Sequence, residues 1–246
     1  MKIAVAGGTG MTGSLVVARL REQGHDVVVL ARAEGVDLVT GNGLTGKLDG
    51  VETIVDATSI VAIKPRDYIH FFRSVATNLQ TAGAAAGVSR IVTLSIVGID
   101  GLGGGPFAHY DGKNAQEAAT IAGAVPTTIL RATQFHGFAG QLIDWTAKAG
   151  LVPCPKQPCQ PIDVDVVADR LAELATSGES GQHMRVDIAG PEVHLMADLV
   201  RRTAAARGQR IKVVPVWLPG KTAKAIRNGA LTASEDATIL GGTFDE

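Results

Sequence analysis

The chain has 246 residues, enough to bury one sizeable core, and open α/β folds commonly use this length as one domain with small additions. Its 23 Lys+Arg against 24 Asp+Glu leave a formal net charge of -1, so no global field draws it to nucleic acid or an anionic membrane. With 46% hydrophobic residues it is an ordered globule rather than a disordered binding segment. The apolar run after Met1-Lys2 is too short for a signal-peptide core, and no apolar stretch approaches the roughly 20 residues that span a bilayer, so a soluble, cytoplasmic protein is expected.

Lys2 to Ala6 reads as a buried strand that runs into Gly7-Gly8-Thr9-Gly10-Met11-Thr12-Gly13, after which Ser14 to Gln23 carries helical spacing and stops at Gly24. Asp26 to Ala31 is the next strand. Residues 36–48 hold several glycines and a short apolar patch, which predicts a turn and at most a short third strand. Thr53 to Ala57 is a further strand, Asp67 to Ala86 a long helix, Arg90 to Ser95 a strand, Lys113 to Ala122 a helix and Thr127 to Leu130 a strand. Strands alternating with helices of this length imply a doubly wound parallel sheet covered on both faces, because each parallel pair needs a crossover connection. Beyond residue 137 the pattern loosens into helices at 138–149, 164–176 and 196–207 and strands at 184–188 and 211–216, a small C-terminal α/β elaboration.

Cys154 and Cys159 lie in a proline-rich loop with no second pair and no histidine spaced to complete a metal site. They read as structural thiols, with a redox-sensitive pair as the alternative.

The glycine turn satisfies G-x-x-G-x-x-G through Gly7, Gly10 and Gly13, and it stands between a predicted strand and a predicted helix. In that context backbone N–H groups and the positive helix end face a pyrophosphate, with no Cβ to block its approach. The expected fold is therefore a dinucleotide-binding Rossmann α/β fold, a single domain over 1–246. Its cofactor-binding core would lie in 1–135 and a substrate-capping part in 136–246. About 20 positions on, an acidic residue would bind a ribose 2′-hydroxyl, whereas this sequence places Arg32 after the second strand. A guanidinium there suits a 2′-phosphate, so NADP(H) is favoured over NAD(H), with Glu34 and Asp37 as the residues that argue the other way.

These residues, with Thr77-Asn78, Gly87-Val88-Ser89-Arg90-Ile91-Val92 and Leu94-Ser95-Ile96-Val97-Gly98, resemble the atypical short-chain dehydrogenases. The segments 130–136, 160–164 and 188–192 are similar to the NmrA-like and NAD(P)H-binding branch, which includes quinone and flavin reductases and redox-sensing regulators. The resemblance implies a cofactor lined by Gly7, Thr9, Gly10, Met11, Thr12, Gly13 and Arg32. It sets Ala57, Thr58 and Ser59 against the adenosine and ribose, and Ser95 and Lys113 beside the nicotinamide end.

The departure lies in the Tyr-x-x-x-Lys pair, whose lysine lowers the tyrosine's pKa for proton transfer. Here Ala108-His109-Tyr110-Asp111-Gly112-Lys113 puts His109 four residues before the lysine and Tyr110 three before it. Three readings stay open: His109 donates the proton, Tyr110 swings in from a glycine-broken helix start, or neither acts and Lys113 only holds the nicotinamide ribose. The function expected is an NADPH-dependent oxidoreductase passing a hydride to a small organic acceptor, a quinone, flavin or carbonyl compound, with Ser95, His109, Tyr110 and Lys113 as candidate catalytic residues. The alternative is a non-catalytic NADP(H)-sensing regulatory protein of the NmrA type. No nucleic-acid or membrane partner is expected, and the protein is read as a monomer or a homodimer. His136 and the aromatic residues Phe135, Phe138 and Trp145 are candidate pocket-lining groups.

Overall fold

Side chains of a strand alternate between faces, so each buried strand of this chain offers one residue set to the helices above the sheet and the other to those below. The computed structural model describes residues 1–62, 64–177 and 183–245. In chain order the elements are β1 (Lys2–Ala6), α1 (Met11–Glu22), β2 (Asp26–Leu30), β3 (Thr53–Asp56), α2 (Pro65–Ala86), β4 (Arg90–Ile96), α3 (Ala108–Ile121) and β5 (Thr127–Ala132). They continue with α4 (Phe138–Thr146), β6 (Leu151–Pro155), β7 (Pro158–Cys159), α5 (Val164–Thr176), β8 (Met184–Ala189), β9 (His194–Leu195), α6 (Met196–Ala206), β10 (Lys212–Val216), α7 (Lys221–Arg227) and β11 (Thr238–Ile239). Seven strands form one parallel sheet in the order β11-β8-β5-β4-β3-β1-β2, the doubly wound arrangement expected. Among the described residues no helix is long and apolar enough to cross a membrane.

The chain packs as two compact units, one of Met1–Ser95, Leu102–Arg131 and Asp165–Val186, the other of Ile96–Gly101, Ala132–Val164 and Asp187–Glu246. In the first unit β1 lies between β2 and β3. The chain therefore winds away from β1 in one direction and resumes on its other side at β3. At such a switch point the turn after β1 and the loop after β3 open a crevice at the carboxyl ends of the strands.

The faces follow from the alternation. Ala4 and Ala6 of β1, Leu30 of β2, Ile54 of β3 and Ile91 of β4 join Val75 and Leu79 of α2 in one buried cluster. By the same period Asp56, Thr93, Ser95, Thr127 and Arg131 belong to that face, so its strands turn from apolar to polar toward their carboxyl ends. α2 and α3 cover this face together. Gln80 of α2 ties them to the sheet, donating to the carbonyl of Thr120 at 2.7 Å and to Thr127 Oγ1 at 3.1 Å and accepting from the Val125 N–H at 2.9 Å. α1 and α5 are joined by Arg19, which donates to Asp165 at 2.6 Å and Asp169 at 2.7 Å.

The second unit has its own core of Ala139, Ile143, Val152, Cys154, Cys159, Met196, Leu199, Val200 and Ala204, drawn from α4, β6, β7 and α6. β10 pairs in parallel with β6 and β7 pairs antiparallel with β9. Cys154 and Cys159 are free and buried here. Burial pushes the two thiols up to about 11 and about 12, which keeps them protonated and inert near neutrality.

Two expectations are corrected. No strand forms in 36–48, where turns and a short 3₁₀ helix at Thr45–Lys47 bury Val36, Leu44 and Leu48 instead. α3 begins at Ala108, five residues before the expected start, because Gly112 is a helical residue and not a break. A Cβ on Gly112 would meet Phe72 Cδ2 at 2.6 Å and Tyr68 Cβ at 3.0 Å, so the glycine is what lets α3 close onto α2. Gly112→Ala should accordingly cost about 1–3 kcal/mol of folding stability, the usual penalty of overpacking, read from urea denaturation. A stability within about 0.5 kcal/mol of the parent would show that this helix contact is not tight.

Candidate functional site

The crevice after β1 is built from backbone. Gly7 stands at a φ of +76°, and a Cβ there would lie 2.9 Å from the Ala57 carbonyl oxygen, so the turn after β1 presses directly on the loop after β3. A Cβ on Gly13 would overlap the Gly7 carbonyl oxygen, which places the first turn of α1 hard against the same loop. The Gly10 N–H bonds to the Gly7 carbonyl at 2.8 Å, and the α1 cap at Gly10 has no side-chain hydrogen bond and no acidic residue in its first turn. The leading N–H groups of a helix have no intrahelical acceptor. With the dipole's positive end they form a seat for a diphosphate, and the glycines remove the atoms that would fill it.

Arg32 opens a 3₁₀ turn just beyond β2, is exposed, and forms no ion pair among the described residues. Asp37, the nearby acid, has its carboxylate turned into its own loop, accepting from the N–H groups of Val39 at 2.9 Å and Thr40 at 3.3 Å. Those backbone bonds hold its carboxyl below the usual range, with the Arg32 charge a smaller contribution. Glu34 lies exposed in the Arg32 turn.

At the loop after β3, Thr58 is buried and its hydroxyl donates to Asp56 at 2.6 Å, while Ala57 is half-buried and Ser59 exposed. Next along the polar edge, Ser95 is buried and donates its hydroxyl proton to Glu117 Oε1 at 2.5 Å. Glu117 is in turn held bidentately by Arg131, at 2.9 Å and 2.7 Å, and approached by Arg185 at 3.4 Å. With its proton spent on Glu117, Ser95 can offer a ligand only its lone pairs.

Lys113 is 5% exposed. Its ammonium donates to the Leu94 carbonyl at 2.6 Å and to Gln116 Oε1, and it lies 4.8 Å from the centre of the Phe72 ring. Burial lowers its pKa to about 8, opposed by the charges of Asp56 and Glu117. His109, one turn earlier on the same helical face, meets the rings of Tyr68 and Phe72 edge-on, each at 5.5 Å between centroids. Burial, then the Lys113 charge, lowers the imidazole to about 4, so it is neutral at pH 7. Tyr110 stacks on Phe107 at 6.2 Å with an interplanar angle of 9° and meets the His109 ring edge-on at 6.4 Å. The structure therefore gathers Ser95, Lys113 and His109 under α2 and α3, with Tyr110 between His109 and the Phe107 ring.

The NAD dependent epimerase/dehydratase family model matches residues 3–97, which span the glycine turn, the β3 loop and Ser95. No curated protein matches the sequence. Among solved structures, MoeE5 in complex with UDP-glucuronic acid and NAD aligns at a TM-score of 0.73 and 19% identity, covering 98% of this chain and 95% of that one. A short-chain dehydrogenase/reductase superfamily protein from Agrobacterium tumefaciens with bound NAD aligns at 0.69 and 19%, covering 100% and 94%. The chain shares the Rossmann-like α/β fold of these proteins. The triphenylmethane reductase of Citrobacter sp. complexed with NADP(H) shares this fold at a TM-score of 0.68 and 19% identity, covering 96% of this chain and 93% of that one.

Asp56, Gln116, Glu117 and Arg131 escaped the sequence reading. The signal was present in the alternation, since Asp56 follows Ile54 and Arg131 follows Ile129 on buried strands, where a charge requires a partner. In the second unit His136 leaves Nε2 buried without a hydrogen-bond partner among the described residues and packs on Phe244 at 5.4 Å, while Trp145 is 60% exposed and forms no interior wall.

Two outcomes follow. Glu117→Gln should destabilise the fold by about 1.5–3 kcal/mol, because it takes the charge out of a buried, bidentate pair with Arg131, whereas Ser95→Ala should cost only about 1 kcal/mol. Equal, small losses in urea denaturation would remove the buried pair from its central place. His109 binds its proton less readily folded than unfolded, so its contribution is complete above about pH 6.5 and is lost as pH falls toward about 4. His109→Leu should flatten the acid limb of the stability–pH curve in that window, and an unchanged limb would contradict the buried neutral imidazole.

Proposed function

We propose that this chain is an NADPH-dependent oxidoreductase that transfers a hydride to a small organic acceptor, with quinones and flavins preferred over carbonyl compounds. The observation that carries the reading is the content of the tyrosine's place: a neutral imidazole enclosed by aromatic rings, one helical turn from a buried lysine. Reduction of an aldehyde or ketone needs an acid beside the forming alkoxide, while a quinone or flavin takes the hydride first and finds its proton in solvent. A triarylmethyl cation is the limiting acceptor of this kind, since hydride addition alone completes its reduction, and a similar fold carries the name triphenylmethane reductase.

The bound nicotinamide would supply the hydride, and the residues present fit it. The glycine cradle and α1 N-terminus would hold the diphosphate, with Thr9, Met11 and Thr12 in the same turn, and Ala57, Thr58 and Ser59 would border the adenosine side. Lys113 would hold the nicotinamide ribose, and Ser95 would accept a hydrogen bond from the carboxamide NH₂. Unpaired Arg32 would take the 2′-phosphate, which is the support for NADPH, and the turning of Asp37 into its own loop removes one of the two acids that would oppose it. The solved relatives are named with both NAD and NADP(H). Epimerisation, in the name of the matching family model, leans on a phenol four residues before the lysine, where this chain has His109.

The test is NADPH oxidation by the purified protein with quinones, flavin and aldehydes side by side. Turnover with quinone or flavin at least about tenfold above aldehyde is expected. Efficient aldehyde turnover would return an acid to the site, and tight NADPH binding without turnover would favour a sensing protein. Arg32→Ala should weaken NADPH at least about tenfold and NADH hardly at all in calorimetric titration, the worth of a charge-assisted hydrogen bond. Equal losses for both would remove the phosphate clamp.

A further inference from the structure

The mechanism uses Lys113, yet nothing in it explains why a buried ammonium stands so close to a buried carboxylate without touching it. Gln116 fills the gap. Its Oε1 accepts from the Lys113 ammonium and its Nε2 donates to Asp56 Oδ2 at 2.7 Å. The orientation of that amide is forced by chemistry, because an ammonium only donates and a carboxylate only accepts. Gln116 is fully buried, Asp56 is 1% exposed, and the other Asp56 oxygen accepts from the Thr58 N–H at 3.0 Å and the Thr58 hydroxyl at 2.6 Å. One chain of hydrogen bonds thus runs from the loop beside Gly7, through Asp56 and Gln116, to Lys113 and the Leu94 carbonyl.

We infer that Gln116 is a positioning residue for Lys113, an amide spacer that fixes the ammonium at the nicotinamide end and couples it to the Thr58 loop at the adenosine end of the same site. This rests on the reading of Lys113 as the residue that holds the ribose. A direct Lys113–Asp56 pair would draw the ammonium toward β3 and satisfy it there. The amide instead takes one of its three N–H groups, the Leu94 carbonyl takes another, and the third has no oxygen or nitrogen acceptor among the described residues. That N–H is the one left for a ribose hydroxyl. The spacer also lets each end of the crevice sense the other, because a shift of Thr58 is passed through two rigid planar groups to the lysine.

The charged and titratable groups around the ammonium are Asp56 on β3 and Glu117 and His109 on α3, with the Phe72 ring of α2 over it. The experiment is a titration of Lys113 in the full chain labelled with ¹³Cε-lysine, its signal assigned by loss in Lys113→Arg, alongside NADPH titrations of the same samples. The parent midpoint should lie near 8. Gln116→Leu should lower it by about one pH unit and Gln116→Glu should raise it by about one, since the first removes an acceptor and the second adds a charge. Gln116→Leu should also weaken NADPH about tenfold while leaving the NADPH-to-NADH ratio unchanged, because Arg32 is untouched. A residue that only filled space would lower the thermal midpoint of both variants and leave the lysine titration where it was, and that result overturns the inference. Displaced lysine titrations in a protein that binds no NADPH would uphold the spacer and sink the proposed function instead.

Discussion

A carboxylate and a guanidinium buried together at the carboxyl edge of the sheet set the terms for everything around them. Glu117 on α3 and Arg131 on β5 are each almost free of solvent, and each would be costly to bury alone. Their bidentate pairing fixes the rotation of α3 against the sheet. That rotation puts Lys113 and Gln116 over the ends of β3 and β4 and brings Glu117 onto the Ser95 hydroxyl. Arg131 thus helps to place the site through Glu117, which it holds bidentately.

The site has two halves of different physical character. The half nearest β1 is backbone: glycines, the start of α1 and a loop pressed against it, with little that a side-chain substitution could tune. The half beneath α2 and α3 is side chain: a buried polar row roofed by Phe72, Tyr68 and His109. His109 is not a proton donor of ordinary acidity in this roof, because enclosing an imidazole in aromatic rings removes the solvation its charged form requires.

Local signals in the sequence were enough for the first half. The glycine turn, the strand before it and the helix after it are contiguous, and Gly7 and Gly10 lie in the turn after β1 while Gly13 lies in the first turn of α1. The second half depends on contacts far apart in the chain. Gly112 reads as a helix break until the position of Phe72 is known, so His109 and Tyr110 were set on an irregular segment when both lie in regular helix. The apolar patch at 36–48 looked like a strand because Val36, Leu44 and Leu48 are buried, yet positive φ at Gly41 and Gly43 turns the chain too sharply for a ladder. Asp56, Gln116, Glu117 and Arg131 were passed over because each is unremarkable in its own neighbourhood and acquires meaning only from its partner.

The most direct measurement is a crystal structure of the protein with NADPH. The 2′-phosphate should lie on the Arg32 guanidinium, the diphosphate on the N–H groups between Gly10 and Gly13, and the nicotinamide ribose within hydrogen-bonding distance of Lys113, with His109 still enclosed by Tyr68 and Phe72. A cofactor bound with its phosphate away from Arg32, or with Lys113 out of reach of the ribose, would contradict the assignment of the buried polar row as the nicotinamide end of the site.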